Sequence, residues 1–275
     1  MFTLSGFGDE ISSNLKEQLD VLQRDGINHL DLRGVWSKGI LALSNAERDT
    51  LKEVLEEREI EVSAIASPIG KVGILDPFPP HFEEFRKALR IAEFFVCDYV
   101  RIFSFYIPQG ESPERYRDEV IRRIREMTHA AEDAGITLLH ENEQGIYGDR
   151  PERCREILEM IDSPFLQATF DPANFVQVGV KPYTEAFPIL RQDTTYLHIK
   201  DARFADGVVT PAGEGDGEIR ELLTALATDG FEGTLALEPH LKVAGRAGGF
   251  SGPAAFHVAA TALKKVLNEI GAEYQ

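Results

Sequence analysis

The sequence predicts an α/β fold, a single (β/α)8 barrel spanning residues 1–275 as one domain. Three observations carry that expectation. Eight short β-rich apolar runs alternate with segments of helical period. No Pro/Gly/Ser-rich linker breaks the alternation. Polar residues capable of chemistry close the last four runs, where a barrel carries its functional groups. Parallel strands need crossover connections, which the helices supply. A doubly wound open sheet is the alternative, and it usually has fewer units.

The first run, FTLSGF, starts at Phe2, and residues 14–24 then place Leu15, Leu19 and Leu22 on one helical stripe. INHLDL from Ile27 precedes a helix over 46–58 that carries Leu51, Val54 and Leu55. Ser44 or Asn45 caps it, with Glu47 close behind. EVSAIA from Glu61 leads to a helix over 81–95 with Phe82, Phe85, Leu89 and Ala92 on its buried face. YVRIFSF from Tyr99 is followed by a helix over 113–134, with Ser112 as cap and Pro113 in the first turn. ITLLHE, LQATFD, TYLHIK and TLALEP complete the strands, with helices over 151–161, 182–190, 218–227 and 253–270. Gly26, Gly135 and Gly230 each follow a helical stretch, where a left-handed cap belongs.

Composition narrows the function classes. Lys and Arg number 29 against 46 Asp and Glu, a formal net charge of −17. Nucleic-acid binders usually carry a basic footprint, and none is visible at the level of the whole chain. The two cysteines, Cys97 and Cys154, form no Cys-x-x-Cys pair and read as buried thiols in a reducing compartment. The start, MFTLSGFGDEIS, has neither the cationic beginning nor the apolar core of a signal peptide, and no run reaches the roughly 18 apolar residues of a membrane span. A cytoplasmic protein is expected.

The strand ends converge on one chemistry. Glu141 (LLHEN), Asp171 (ATFDP), His198 (YLHIKD) and Glu238 (ALEPH) close the fifth to eighth strands. Their separations of 30, 27 and 40 residues are each about one βα unit, so neighbouring strands aim all four at one mouth. Three carboxylates with one imidazole suit a single divalent cation: Mn²⁺ foremost, with Mg²⁺, Co²⁺ or Zn²⁺ also compatible. Without a cation, converging carboxylates repel and raise one another's pKa. Each taken singly reads more simply as a strand-end group that caps a helix or bonds a loop. Their register across consecutive strands favours the metal.

Other residues stand within reach of that mouth. His140 should face away from it by strand alternation, while His240, two beyond Glu238, is a candidate substrate contact, and Lys200, two beyond His198, reads either as a group that binds an anionic part of the substrate or as a solvated or ion-paired lysine. His29, His81, His129 and His257 fall in strands or helices away from the rim and read as structural or solvated. Asp9 and Glu10 follow the first strand, and Arg33 and Trp36 the second, with Trp36 a stacking platform or a packing residue. The loop PAGEGDGE is too acidic for a phosphate cradle and reads as a positioning loop. Arg246, in AGRAGGFSG, is a candidate for an anionic substrate end, and the glycines around it would permit a lid.

The segments LLHENEQGIYGDRPERC, FDPANF, HIKDA, VVTPAGEGDGEI and LEPHL resemble the sugar phosphate isomerase/epimerase family of the xylose isomerase-like TIM-barrel superfamily. That superfamily includes D-tagatose 3-epimerase and the apurinic-site endonucleases. The resemblance implies that Glu141, Asp171, His198 and Glu238 are the metal ligands and that Glu141 and Glu238 are also the acid/base pair. Where relatives carry a substrate-touching histidine three after the aspartate, this chain has Asn174, and Arg203 is the nearest match to a substrate-binding arginine. The implied reaction is metal-dependent proton transfer beside a carbonyl of a sugar, sugar phosphate or sugar acid, through an enediolate. A dehydratase acting on a keto-inositol starts with the same abstraction. A three-metal endonuclease site lacks its histidines, since AIAS and RIFSF end strands three and four without one. A barrel that binds carbohydrate without turnover is the remaining alternative. The expected partner is a small-molecule sugar, with no nucleic acid or membrane, in a chain that could form a homo-oligomer.

Overall fold

The computed structural model describes residues 1–241 and 251–275. Eight strands form a closed parallel barrel: β1 (Thr3–Phe7), β2 (His29–Leu32), β3 (Glu61–Ile65), β4 (Tyr99–Ile102), β5 (Thr137–Glu141), β6 (Leu166–Phe170), β7 (Thr194–Ile199) and β8 (Thr234–Leu237). Each pairs with its neighbour in the chain, and β8 returns to β1 with Thr3 opposite Thr234. The main helices cover the outside: α1 (Leu15–Arg24), α2 (Asn45–Glu57), α3 (Phe78–Phe95), α4 (Arg117–Asp133) and α5 (Pro151–Ile161) come first. They are followed by α6 (Pro172–Gln177), α7 (Phe187–Leu190), α8 (Ile219–Thr228) and α9 (Pro253–Glu269). Among the described residues no helix is long and apolar enough to cross a membrane.

The helices start where the sequence places their caps. Asn14 accepts the Glu17 N–H, and Ser44 with Glu47 forms a reciprocal capping box that opens α2. Gly26, Gly135 and Gly230 all have positive φ, as C-terminal caps require. Three expected helices differ. α3 begins at Phe78, not His81, because Pro79 and Pro80 fall in a first turn whose N–H groups have no partner to lose. The segment from Pro113 opens as a 3₁₀ turn, Pro113–Tyr116, before α4. Residues 182–190 form a π turn, Pro182–Ala186, and the four-residue α7, whose Pro188 falls in its first turn. Helix α6 was not anticipated.

Two apolar layers result. The larger lies between barrel and helices, with Leu19, Leu22, Leu51, Phe85 and Phe256 fully buried. Each such side chain contributes roughly 1.5–3 kcal/mol. The smaller fills the barrel itself: Phe7, Ala64, Ala66, Leu139, Tyr196 and Ala236. Alternation along a strand then decides what stands above this plug. Arg33, Glu141, His198, Lys200 and Glu238 follow inward residues by steps of two, so they line the C-terminal mouth. A shift in the β2–β3 register leaves Ser63 as an extra residue, and its hydroxyl lies 2.7 Å from that of Ser5 inside the barrel.

One glycine shows how tightly the rim is closed. Gly70 has φ +91°, and a Cβ there would stand 2.0 Å from the Phe103 carbonyl oxygen. Gly179 also has positive φ but open space around it. Gly70→Ala is expected to cost at least about 3 kcal/mol, from overpacking added to backbone strain, and Gly179→Ala about 1 kcal/mol. Chemical denaturation of both variants checks this, and equal losses would refute the steric argument.

Candidate metal centre

The fifth to eighth strands deliver their terminal side chains to one point. Glu141 ends β5, Asp171 follows β6, His198 is the penultimate residue of β7, and Glu238 follows β8 with its N–H on the Ile199 carbonyl. One ligand atom from each lies within 4.8 Å of the others, and all four residues are buried. The residues fit a divalent cation on a further observation. Glu141 Oε2, Asp171 Oδ2, His198 Nδ1 and Glu238 Oε2 are all buried without a well-formed hydrogen bond. Short approaches exist, such as His198 Nδ1 to Glu141 Oε1 at 3.1 Å, but their angles are poor. A buried unsatisfied oxygen or nitrogen is costly, and one such atom on each of the four clustered residues is a pattern that an ion would relieve.

The other atom of each carboxylate is held by the protein. Asp171 caps α6, its Oδ1 accepting the Asn174 N–H at 2.9 Å. Glu238 Oε1 accepts from Arg33 Nη1 at 2.6 Å, and Glu141 Oε1 from Asn174 Nδ2 at 3.3 Å. His198 turns Nδ1 toward the two glutamates and Nε2 toward Asp31 Oδ2, 4.0 Å below. Asp31 accepts from the Ser5 and Tyr196 hydroxyls, both at 2.6 Å.

Burial drives every carboxyl here toward a higher pKa, and the local cations decide the outcome. The charges of His198 and Arg101 overcome burial at Glu141 and hold it below the usual range. Lys200 and His240 do the same for Glu238. At Asp171 burial prevails over Lys200 and the pKa is raised. His198 itself is raised against its own burial, by Glu141 and then Glu238.

The structure places the remaining candidates as follows. Lys200 is buried, 2.8 Å from Asp171 Oδ2. Asn174 bridges Glu141 and the Asn142 carbonyl. His240, at φ +45°, sits 3.0 Å from Glu10 Oε1 and 3.5 Å from Glu238 Oε1. Arg203 lies apart from the cluster: it follows the two-residue strand Asp201–Ala202 on an exposed turn, and its guanidinium pairs with Asp206. Trp36 is in the turn of the hairpin Gly34–Val35/Lys38–Gly39 and packs against the apolar core. Arg246 and its glycine-rich segment lie outside the described residues. His140 faces away from the cluster, buried with both ring nitrogens unpartnered. In the loop PAGEGDGE, the N–H groups of Gly213, Gly215 and Gly217 all donate to the Asp201 carboxylate at 2.8–3.0 Å, so none is available to a phosphate.

Three participants escaped sequence reasoning. Arg101, in the middle of β4, reaches Glu141 Oε2 at 3.2 Å while its other nitrogens approach the Ala66 and Ser67 carbonyls. Asn142 exchanges two hydrogen bonds with the Asp171 backbone and locks β5 to β6. Asp31 supports the site from below. A charged residue inside an apolar run (YVRIF, HLDL) was the available signal.

Fold and cluster together define a (β/α)8 barrel with a buried three-carboxylate, one-histidine site at its C-terminal mouth. The xylose isomerase-like TIM barrel family model matches residues 19–259, and the chain belongs to that family. Uncharacterized protein MJ1311 of Methanocaldococcus jannaschii is 28% identical over 149 residues, 51% of this chain and 50% of that protein. The chain thus matches about half the length of that curated relative. Among solved structures, a D-tagatose 3-epimerase-like protein superposes with a TM-score of 0.78 at 19% identity, covering 98% of each chain. The probable 3-DHS dehydratase AsbF of Bacillus anthracis gives 0.76 at 16%, covering 96% of this chain and 99% of its own.

Titration with Mn²⁺ is expected to raise the midpoint of thermal unfolding, by about 2.7 kcal/mol of stability at a hundredfold excess over Kd. His198→Gln and Asp171→Asn should lose that gain, while Asn174→Ala should keep it. A wild-type protein indifferent to Mn²⁺, Mg²⁺, Co²⁺ and Zn²⁺ alike would overturn the ligand assignment.

Proposed function

We propose that the chain is a divalent-metal-dependent isomerase or epimerase of a sugar or sugar derivative. The observation that carries this reading is the pairing of Glu141 and Glu238 across one buried ligand cluster, each with one oxygen anchored and the other unsatisfied. A bound divalent cation, with Mn²⁺ the first choice for this oxygen-rich set, supplies Lewis-acid stabilisation of charge on substrate oxygens. Glu141, Asp171, His198 and Glu238 would hold it.

The chain's own groups then divide the proton work. One glutamate takes the proton from the carbon beside the carbonyl, and the other returns one, each positioned group contributing about 10²–10⁴-fold. Both are held below the usual carboxylate range by the neighbouring cations, so either can act as the base, and its partner takes up a proton from solvent before delivering it to carbon. Arg33 fixes Glu238 and Asn174 fixes Glu141, so the free oxygen of each has a defined direction. Asn174 and His240 both edge the same cavity. Return to the opposite face of the same carbon inverts it; return to the neighbouring carbon isomerises. Loss of a hydroxyl from the same intermediate is the dehydratase alternative, and the name of the AsbF neighbour keeps that reading open. Among the described residues a single cluster of metal-ligating side chains is found, which gives no support to a three-metal nuclease.

A panel of ketoses in D₂O with added Mn²⁺, followed by NMR, tests the proposal. Deuterium should enter beside the carbonyl, and Glu141→Gln and Glu238→Gln should each slow entry at least 10²-fold. Full exchange in either variant removes that residue from the acid/base pair, and loss of a hydroxyl signal favours the dehydratase.

A further inference from the structure

Two buried cations at the mouth share their carboxylate partners with the cation site. Among the described residues Arg101 has Glu141 at 3.2 Å and Glu238 at 3.7 Å as its ion-pair partners. Lys200 has Asp171 at 2.8 Å and Glu238 at 3.6 Å. All three are ligand candidates, and the oxygens they turn to Arg101 and Lys200 include the three unsatisfied ones or their neighbours. The other basic groups have carboxylates outside that set. Besides Glu238, Arg33 faces Asp9 and Glu10 and His240 faces Glu10, and Lys71 faces Glu143. Asp31 lies on the far side of the His198 ring.

Loading the site changes the local balance of charge. A divalent cation would draw on the same three carboxylates that Arg101 and Lys200 face, so both basic groups would share their negative partners with it. Arg101 and Lys200 are both about nineteen-twentieths buried, and an uncompensated charge at such depth is expensive. These two cations border a cavity of about 150 Å³ that Asn174, Glu141 and Glu238 also line.

We propose that the substrate carries a carboxylate, received between Arg101 Nη1 and Lys200 Nζ, so that the site takes a small sugar acid in preference to a neutral sugar. The inference rests on the metal-dependent reading above and names its substrate class. A carboxylate replaces negative charge that the ion draws away from Arg101 and Lys200, and its two oxygens match the two donors. Arg101 also has a single nitrogen to offer, because Nε and Nη2 point at the Ala66 and Ser67 carbonyls. That is enough for one carboxylate oxygen, with Lys200 taking the other. The same two cations would stabilise the further negative charge that develops when the neighbouring carbon loses its proton.

Calorimetry on the Mn²⁺-loaded protein with D-glycerate, glycerol and glycerol 3-phosphate tests this, alongside Arg101→Gln and Lys200→Gln. D-glycerate should bind at least tenfold tighter than glycerol, and each variant should reduce that preference at least fivefold. Each variant should also bind Mn²⁺ at least threefold tighter, because a competing positive charge has been removed; a merely structural role would weaken the metal instead. No preference for glycerate, a preference unchanged in the variants, or weaker Mn²⁺ binding in both would overturn the proposal. Tighter binding of glycerol 3-phosphate than of glycerate would replace the carboxylate with a phosphate. Absence of Mn²⁺ binding by the wild type would remove the metal-dependent reading itself, a failure distinct from the others.

Discussion

Like charges gathered in a low-dielectric mouth are the constraint on which this structure turns. Glu141, Asp171 and Glu238 are all buried within one ligand cluster, and their mutual repulsion must be met by positive charge from somewhere. The chain meets it in two ways. Arg33 and Lys200 reach the cluster from just beyond β2 and β7 and Arg101 from within β4, and His198 faces both glutamates. Each of the four clustered residues also keeps one buried atom without a hydrogen bond, which an ion would satisfy. Remove the cations and the carboxylates would take up protons; remove the carboxylates and the cations would be stranded. Barrel geometry is what makes the gathering possible, because parallel strands end at the same height and alternate inward every second residue.

Asp171 shows how a structural role and a chemical one share a side chain. Taken alone in the sequence, an aspartate before Pro-Ala-Asn reads as a helix cap, and its Oδ1 is one. The cap leaves Oδ2 without a hydrogen bond, facing Lys200 at 2.8 Å. Asn174 makes the complementary link, giving its N–H to Asp171 and its side-chain amide to Glu141. A single turn of helix thus sets the separation of two ligand candidates from neighbouring strands. The short length of α6, six residues without a long apolar stripe, is why periodicity did not find it.

Much of the barrel was legible because its signals are local. Period-two runs, capping boxes and glycine caps are written in adjacent residues, and strand order follows from right-handed crossovers. The four converging groups were legible for the same reason, since strand-end position is a local property. What was not legible depends on contacts across the ring. Arg101 looks like an interruption of YVRIF until β4 is seen opposite Glu238. The Asp31–Tyr196–Ser5 network joins residues up to 191 positions apart through the barrel interior. Arg203 was drawn toward the site by chain distance from His198, but the strand Asp201–Ala202 carries it out to an exposed turn.

That turn is itself fixed by an internal anion. Asp201 receives N–H groups from Ala202, Gly213, Gly215 and Gly217, and a Cβ on Gly215 would stand 2.4 Å from its Oδ1. The glycines are required because the backbone must approach the carboxylate this closely. Their donors, which in another setting would bind a phosphate, hold the chain immediately after Lys200 instead. Glu10 plays the matching part on the other flank: its side chain accepts from His240 N–H and the Ser251 hydroxyl, and its carbonyl from Ser251 and Gly252. The loops beyond β7 and β8 are therefore each tied to a buried acidic residue that is not itself in the ligand cluster. The mouth carries two kinds of carboxylate in consequence. One kind is saturated with hydrogen bonds and holds the walls; the other is left unsaturated and faces the cavity, and that difference in satisfaction is what separates scaffold from site in a rim where both are buried acids.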